Sequence, residues 1–161
     1  MKVVPATVSD IPVIKSIAQQ TWPDAYSGII SHEQIEYMLQ LFYSAPALKK
    51  QMEDGHHFIL AVDDGSTIGF AAWQLKTPVL ARLHKLYVLP DLQQKNVGKK
   101  LLESVIQQAQ KAGASKLELN VNRNNPALSF YKKHGFKIDQ VENIDIGNGY
   151  FMNDYVMSRE V

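Results

Sequence analysis

The sequence of 161 residues contains no cysteine, and its charges nearly cancel, with 17 Lys and Arg against 16 Asp and Glu. The lack of cysteine excludes disulfides, thiolate metal ligands and a cysteine nucleophile, and it is compatible with a reducing compartment. A net charge of +1 supplies no overall field for nucleic acid or an anionic membrane. No apolar run approaches the roughly 18 residues of a membrane span, and the start lacks a signal-peptide core. We therefore expect a soluble, cytoplasmic protein in which any anion site is local.

The apolar residues alternate between strand and helix periods along the chain. The length predicts a single domain over residues 1–161, with a core that needs no metal or disulfide. Residues 22–30 are expected to form an aromatic loop, and Ser31 with Gln34 has the pattern of a helix cap. The order of elements is β α α β β β α β α β β, which indicates an α/β (α+β) fold, a mixed sheet with helices packed on it. Strands are expected at 2–8, 58–62, 67–75, 81–89, 117–121 and around 147–149, and helices after Ser9, Ser31, Gly98 and Asn125.

The stretch LQQKNVGKKLLE, residues 92–103, lies between a strand and a helix. Free N–H groups at a helix start attract anions. Gly98 lets the backbone approach a ligand closely, and Asn96 tolerates a left-handed conformation. The residues alone leave open whether this is a phosphate site or a solvated basic helix start. The sequence lacks GxxxxGK[ST] and GxGxxG here, which argues against a nucleoside triphosphatase and a dinucleotide-binding fold.

The run LHKLYVLPDLQQKNVGKKLLE resembles the coenzyme-A-binding segment of the GNAT superfamily of acyl-CoA-dependent N-acyltransferases, whose signature is (Gln/Arg)-x-x-Gly-x-(Gly/Ala). Asn96 replaces the first glycine of that signature. Downstream, NNPALSFYKKHGF resembles the second pattern of the family. The resemblance implies the GNAT fold, a mixed and mostly antiparallel sheet of about seven strands with about four helices and splayed central strands. The second pattern is matched by Asn124, Ala127, Tyr131, Gly135 and Phe136.

The resemblance also implies acetyl-CoA as co-substrate, bound where the central strands splay apart. The backbone of Leu86 and Val88 would pair with the pantetheine arm like an added strand, and the amides of residues 94–99 would hold the pyrophosphate. The Leu86 N–H would face the thioester oxygen, and no covalent enzyme intermediate would form. The predicted coenzyme-binding residues are Leu86, Tyr87, Val88, Gln93, Gln94, Lys95, Asn96, Val97, Gly98, Lys99, Asn124 and Tyr131.

Two proton transfers in such a reaction require catalytic groups. The attacking amine must lose a proton, and His84, near the end of the strand that leads to the acyl site, is the candidate base. Ordered water can replace it, and packing is the structural alternative. The family usually places a tyrosine at the departing thiolate, and Tyr131 occupies that position. Core packing on its helix is the alternative for Tyr131, and turn chemistry is the alternative for Asn124.

Trp22, Tyr26 and Tyr37 are predicted to bind the acceptor, because aromatic rings form an apolar pocket that tolerates a cation. Core packing is again the alternative. The first half and the ending GNGYFMNDYVM are similar to GNAT members that acetylate polyamines or related small amines, and a peptide amine remains possible. Adjacent histidines on an extended segment point to opposite faces, so His56 and His57 do not predict a metal site.

Two functions other than catalysis compete with this hypothesis. A degenerate relative would bind coenzyme A as a sensor or scaffold without chemistry. A nucleic-acid binder would use the lysines of residues 95–100, but an aromatic-interleaved basic surface is missing. Homodimers are frequent in the family, and no stretch of the sequence marks an interface.

Overall fold

The computed structural model describes the backbone of residues 1–161 and the side chains of residues 1–92 and 96–161. Seven strands and five α-helices follow each other in one chain. The strands are β1 (Lys2–Pro5), β2 (His57–Asp63), β3 (Ser66–Leu75), β4 (Leu80–Val88), β5 (Lys116–Asn122), β6 (Lys137–Gly147) and β7 (Tyr150–Glu160). The helices are α1 (Ile11–Tyr26), α2 (His32–Tyr43), α3 (Ala45–Glu53), α4 (Val97–Lys111) and α5 (Ala127–Lys133). Two short 3-10 helices cover Val8–Asp10 and Pro90–Lys95.

All seven strands belong to one sheet with the order β1-β2-β3-β4-β5-β7-β6. Neighbouring strands are antiparallel except β4 and β5, which are parallel. A parallel pair needs a crossover connection, and α4 supplies it. The predicted mixed, mostly antiparallel sheet is confirmed.

Apolar side chains cover both faces of the sheet. On one face, α4 packs through Leu101, Leu102 and Val105 against strand residues such as Leu83 and Leu119. On the other face, α1, α2 and α3 cover β2 and β3 with a cluster rich in aromatic rings. Members of that second cluster include Trp22, Tyr26, Tyr43, Phe58 and Phe70.

The parallel pair separates halfway along its length. Over the described register, β4 is paired with β5 from Leu80 to Leu83 and no further, although β4 continues to Val88 beside β3. A β-bulge lies at the point of separation, because Leu83 pairs with Trp73 and Lys85 with Ala72, which leaves His84 as the extra residue. Bulges bend the strand that carries them. The bulge therefore accounts for the departure of β4 from β5, and the expected splay of the central strands is present.

The first helix is longer than the sequence suggested. Residues Trp22–Tyr26 are helical, and the aromatic loop predicted for residues 22–30 is wrong over that part. Pro23 stands inside α1, where it removes one helical hydrogen bond. Burial of Trp22 and Tyr26 in the core offsets that cost, since each large aromatic ring contributes a few kcal/mol.

The starts of three helices can be compared with the capping residues that the sequence predicted. Ser31 Oγ accepts a hydrogen bond from Gln34 N at 3.1 Å, as the sequence predicted. Ser9 is not the first cap; instead Thr7 N donates to the Asp10 carboxylate at 2.8 Å. The sequence analysis missed α3, which Ser44 caps by accepting from Ala47 N at 3.3 Å. In the part of the chain that is described, no helix is long and apolar enough to cross a membrane.

Candidate active site

The separation of β4 from β5 opens a cleft of about 670 Å³. Its walls are the second halves of β4 and β5, the C-terminal end of α1, the first turn of α4 and the helix α5. The fold thus brings together residues from five stretches of the chain. The predicted site residues that line the cleft are Tyr26, His84, Leu86, Tyr87, Val88, Asn96, Gly98, Lys99 and Tyr131.

Asn96 adopts the left-handed conformation that the sequence predicted for it, with φ +60°. It stands immediately before α4, and its carbonyl accepts the first helical hydrogen bond from Lys100 N at 3.1 Å. The N–H groups of the first helical turn have no carbonyl of their own helix to donate to. This turn therefore presents a donor-rich helix start to the cleft. The predicted contacts of Gln93, Gln94 and Lys95 lie outside the described side chains.

Gly98 lies in that first turn, and because it has no side chain it leaves space in the cleft. A Cβ atom at this position would lie 3.5 Å from Phe130 Cζ, at ordinary contact distance. A larger residue is therefore compatible with the fold, but it would project into the cleft. Val97, by contrast, lies on the buried face of α4, so its side chain does not line the cleft.

Tyr131 projects from α5 and is only 7% exposed. Its ring packs edge to face against Phe130 at 5.3 Å and Phe136 at 5.6 Å between centroids. Burial, followed by the neighbouring Tyr26 phenol, raises the pKa of Tyr131 well above its usual value. The phenol therefore stays protonated at neutral pH and is available as a hydrogen-bond donor.

Tyr26 and Tyr87 meet in the cleft with their hydroxyl oxygens 3.2 Å apart. Burial raises the pKa of both phenols, so both stay protonated at neutral pH. Trp22 packs behind them, with its ring centroid 4.7 Å from that of Tyr26 and 5.8 Å from that of Tyr87. Of the predicted acceptor-binding residues, Tyr26 lies at the cleft surface and Trp22 supports it from the core.

Tyr37 is not part of the cleft. Its hydroxyl donates to Ile146 O at 2.7 Å, and its ring lies 5.3 Å from that of Tyr150. Both partners belong to the β6–β7 hairpin, so Tyr37 attaches this hairpin to α2. Its predicted contact with the acceptor has no support in this placement.

Asn124 lies in the turn before α5, where its N–H donates to Asn122 Oδ1 at 2.9 Å. This is the turn chemistry that the sequence left open as its alternative. The neighbouring Asn125 lines the cleft instead, and its side chain accepts from Ala127 N at 2.9 Å. The sequence analysis missed Asn125 as a cleft residue.

The His84 ring stacks on that of His56, with 4.2 Å between centroids and 9° between planes. His84 Nε2 lies 3.0 Å from Gln74 Oε1, and Gln74 Nε2 donates to Asp54 O at 3.2 Å. The second bond fixes the orientation of the Gln74 amide, so its oxygen faces His84 and Nε2 is the protonated nitrogen. The free lone pair of the neutral ring is therefore on Nδ1.

The surroundings of His84 disfavour its protonated form. Burial lowers the pKa of His84 to about 3, and the positive charges of His56, Arg82, Lys85 and Lys76 act in the same direction. The ring is neutral at pH 7 and is a far weaker base than free imidazole. The base role predicted for His84 stays a prediction, and this environment argues against it.

Lys85 follows the bulge, and the sequence analysis missed it as a cleft residue. Its Nζ lies 4.5 Å from the centroid of the Tyr43 ring and 5.9 Å from that of Phe42. Burial lowers the pKa of the Lys85 ammonium to about 8. None of the ion pairs between described side chains includes Lys85, so the aromatic rings are the recorded partners of its charge. The sequence signal that could have identified Lys85 is a lysine at a strand position that faces the core.

A network of polar side chains covers the sheet beside the cleft, on the face that carries Tyr26. Arg82 Nη1 pairs with Glu118 Oε1 at 2.9 Å. Asp154 is only 2% exposed and accepts a hydrogen bond from Asn120 Nδ2 at 3.3 Å. Burial raises the pKa of Asp154 above that of a free aspartate. Among the described residues, no group of three or more His, Cys, Asp or Glu side chains is arranged to hold a metal.

Comparison with known proteins agrees with this architecture. Residues 28–157 match the model of the acetyltransferase (GNAT) domain, and the chain belongs to that family. Spermidine N(1)-acetyltransferase of Thermoplasma acidophilum is 30% identical over 145 residues, which cover 86% of this chain and 89% of that protein. An uncharacterized N-acetyltransferase of Mycobacterium bovis is 30% identical over 156 residues, 96% of this chain and 99% of the relative.

A solved structure extends the likeness to three dimensions. The crystal structure of the PaiA N-acetyltransferase from Thermoplasma acidophilum in complex with coenzyme A superposes with a TM-score of 0.85 at 27% identity. The match covers 100% of both chains. The GNAT fold implied by the two sequence motifs is thus confirmed.

Proposed function

We propose that this protein transfers the acetyl group of acetyl-CoA to a primary amine of a small, polyamine-like molecule. The observation that carries the proposal is the separation of β4 from β5 after the Leu83–Leu119 pair, beside the helix start at Asn96 and the phenol of Tyr131. This arrangement offers a strand edge, an anion-binding helix start and a hydrogen-bond donor along one cleft. Those are the features that a long thioester carrier with a diphosphate group requires.

The helix start would hold the diphosphate of the carrier. Backbone N–H groups in the first turn of α4 donate, the positive end of the helix dipole attracts the charge, and Lys99 adds a cation at the rim. The pantetheine arm would then run along β4 at Leu86, beyond the last residue of β4 that pairs with β5. The acetyl group would lie at the bulge, between β4 and Tyr131.

The reaction needs no bond to the protein. The neutral amine nitrogen attacks the thioester carbonyl carbon, the C–S bond breaks, and the electrons of that bond leave on sulfur as a thiolate. A phenol with a raised pKa is a weak acid but a good hydrogen-bond donor, so Tyr131 stabilises the departing thiolate mainly by a hydrogen bond. As the amide forms, the attacking nitrogen loses one proton to solvent and the thiolate takes up one proton, so the products are an acetamide and coenzyme A.

The acceptor class is supported by the second wall of the cleft and by the relative that acetylates spermidine. Tyr26 and Tyr87 offer aromatic surface, and Asp24 adds a carboxylate to the lining of the cleft. Aromatic rings and carboxylates together favour a cationic amine. A small molecule with several amino groups fits this chemistry better than a neutral or anionic acceptor.

Release of free thiol from acetyl-CoA tests the proposal, with a panel of polyamines, aminoglycosides, amino acids and peptide N-termini. We expect the highest kcat/KM with a polyamine. A preference for peptide N-termini would contradict the acceptor class while leaving acetyl transfer intact. Coenzyme binding in calorimetry with no thiol release from any amine would favour the sensor or scaffold function instead.

A further inference from the structure

A small chamber lies behind Tyr26, between α1, α2 and the strands β5 and β7. Its volume is about 20 Å³, and Tyr26 lines both this chamber and the cleft. Asp154, Asn122 and Gln34 contribute polar side chains to its walls, next to apolar ones. One tyrosine thus separates the acetyl-transfer cleft from a buried carboxylate.

The size of the chamber decides which molecule it can hold. A volume of roughly 10–15 Å³ on this measure admits one water molecule, which needs two to four polar partners. The chamber meets the first condition, and Tyr26, Gln34, Asn122 and Asp154 among its lining residues carry polar groups that could meet the second. It is too small for a second amino group with its carbon chain, so Asp154 does not serve as a pocket for the far end of a polyamine.

We propose that Asp154 receives the proton that the acceptor amine loses, by way of the Tyr26 hydroxyl and a water molecule in this chamber. The ammonium gives its proton to the phenolic oxygen as the phenol gives its own to the water, and the water gives one to the carboxylate. No charge remains on Tyr26 or on the water. The inference rests on the proposed function, since it assigns the base of that same reaction.

The charges around each candidate base favour Asp154 over His84. Burial, followed by the neighbouring His56, Arg82, Lys85 and Lys76, disfavours a proton on His84. Asp154 is a buried carboxylate, and burial together with the charge of Glu142 raises its pKa, while the Asn120 hydrogen bond, Arg82 and Arg123 oppose that rise. No ion pair between described side chains includes Asp154, so its charge is not neutralised directly by a cation.

The chamber also offers the proton a way out. Phe151, which lines it, is 48% exposed, and Gln34 is anchored there by donating to Phe151 O at 2.8 Å. The wall at this point borders solvent. After each turnover the carboxyl group returns its proton through the chamber water to the bulk, and the carboxylate is restored.

Asp154→Asn tests the relay, with Glu142→Gln as the matched control. Glu142 stands opposite Asp154 on the neighbouring strand but does not line the chamber. With a polyamine, we expect kcat of Asp154→Asn to fall about 100-fold and to rise with pH, because the amine must then lose its proton to solvent. With a β-fluorinated analogue whose amine is largely neutral at pH 7, the loss should shrink to a few-fold. Glu142→Gln removes only a neighbouring charge that raises the pKa of Asp154, so it should stay within a few-fold of the wild type on both amines.

A second variant separates the relay from a structural effect. Tyr26→Phe interrupts the path while Asp154 is intact, so its loss and that of Asp154→Asn should not multiply in the double variant. Equal losses on the basic and the fluorinated amine, in a variant that melts like the wild type, would make Asp154 structural and overturn the relay. So would an Asp154→Asn protein as active as Glu142→Gln. Wild-type protein without thiol release would instead defeat the proposed function, and the relay with it.

Discussion

His84 and His56 lie ring on ring at the bulge of β4, with 4.2 Å between their centroids. The two imidazoles cannot both be charged at this distance without strong repulsion. The contact places a pH-dependent contribution to stability beside the cleft.

The stability of the protein should fall in acid because of His84. Its pKa is about 3 in the folded protein and about 6.5 in the unfolded chain. Between these values the unfolded chain binds a proton that the folded protein does not, so unfolding becomes more favourable as pH decreases through this range. The contribution is fully present above pH 6.5 and is progressively lost below it.

His84→Gln removes the titrating group and keeps a polar side chain next to Gln74. We expect the free energy of unfolding of this variant to decrease less than that of the wild type between pH 6.5 and pH 4, measured by urea denaturation. His32→Gln, at an exposed position on α2, serves as the matched substitution control. Parallel curves for His84→Gln and the wild type would contradict the assignment.

Tyr131→Phe should reduce turnover with little effect on the affinity for acetyl-CoA. Removal of the hydroxyl takes away the hydrogen bond to the departing sulfur but leaves the ring packed against Phe130 and Phe136. We expect kcat to fall about 100-fold while KM for acetyl-CoA changes less than about threefold, measured by thiol release. Tyr155→Phe, on β7 outside the cleft, should retain wild-type kcat. An unchanged kcat in Tyr131→Phe would show that the thiolate leaves without this donor.

Asn96 and Asn148 provide a matched pair for the helix-start site, since both have positive φ, 60° and 55°. An alanine disfavours this left-handed conformation, so Asn96→Ala and Asn148→Ala should each cost about 1 kcal/mol of stability. The affinity for coenzyme A should decrease in Asn96→Ala alone, because Asn148 lies in the β6–β7 turn. Calorimetric titration with coenzyme A measures the difference. Equal affinities of the two variants would exclude a role for the Asn96 turn in binding.

Gly98→Ala should change stability and affinity in opposite directions. A Cβ atom here meets Phe130 at ordinary contact distance, and alanine favours helix over glycine by up to about 1 kcal/mol. The melting temperature should therefore stay equal or rise. The added methyl group projects into the cleft, so the Kd for coenzyme A should increase at least tenfold. If Gly98→Ala bound coenzyme A more tightly than the wild type, the diphosphate would not lie at this helix start.

The sequence predicted the parts of the fold that rest on periodicity and on special residues. Alternating apolar residues such as Leu117, Leu119 and Val121 identified β5, and the left-handed conformation expected at Asn96 is present. The splayed strands followed from the family resemblance. The end of α1 was mispredicted because Pro23 and the aromatic residues around it signal a loop locally, whereas burial against β3 decides the outcome.

The site was harder to predict than the fold, since most of its chemistry depends on contacts between distant stretches. His84 was chosen as base from the ordinary pKa of histidine, but the sequence does not show that Arg82, Lys85 and Lys76 surround it. Asp154 was overlooked, because nothing in the run NDYVM says that this aspartate is buried behind Tyr26. Tyr37 has the composition of a binding residue, yet its hydroxyl fastens a hairpin.

The short parallel ladder between β4 and β5 gives a bound carrier a mechanical role. The sheet consists of two leaves, β1 to β4 and β5 to β7, joined along the seam by the register from Leu80 to Leu83. A pantetheine arm bound beyond Leu83 would contact both leaves in the part of the seam where β4 and β5 are not paired. The protein with bound carrier should then open more slowly along this seam. Amide hydrogen exchange in β5 should be slower with acetyl-CoA than without it, which would give the thioester a structural role as well as a chemical one.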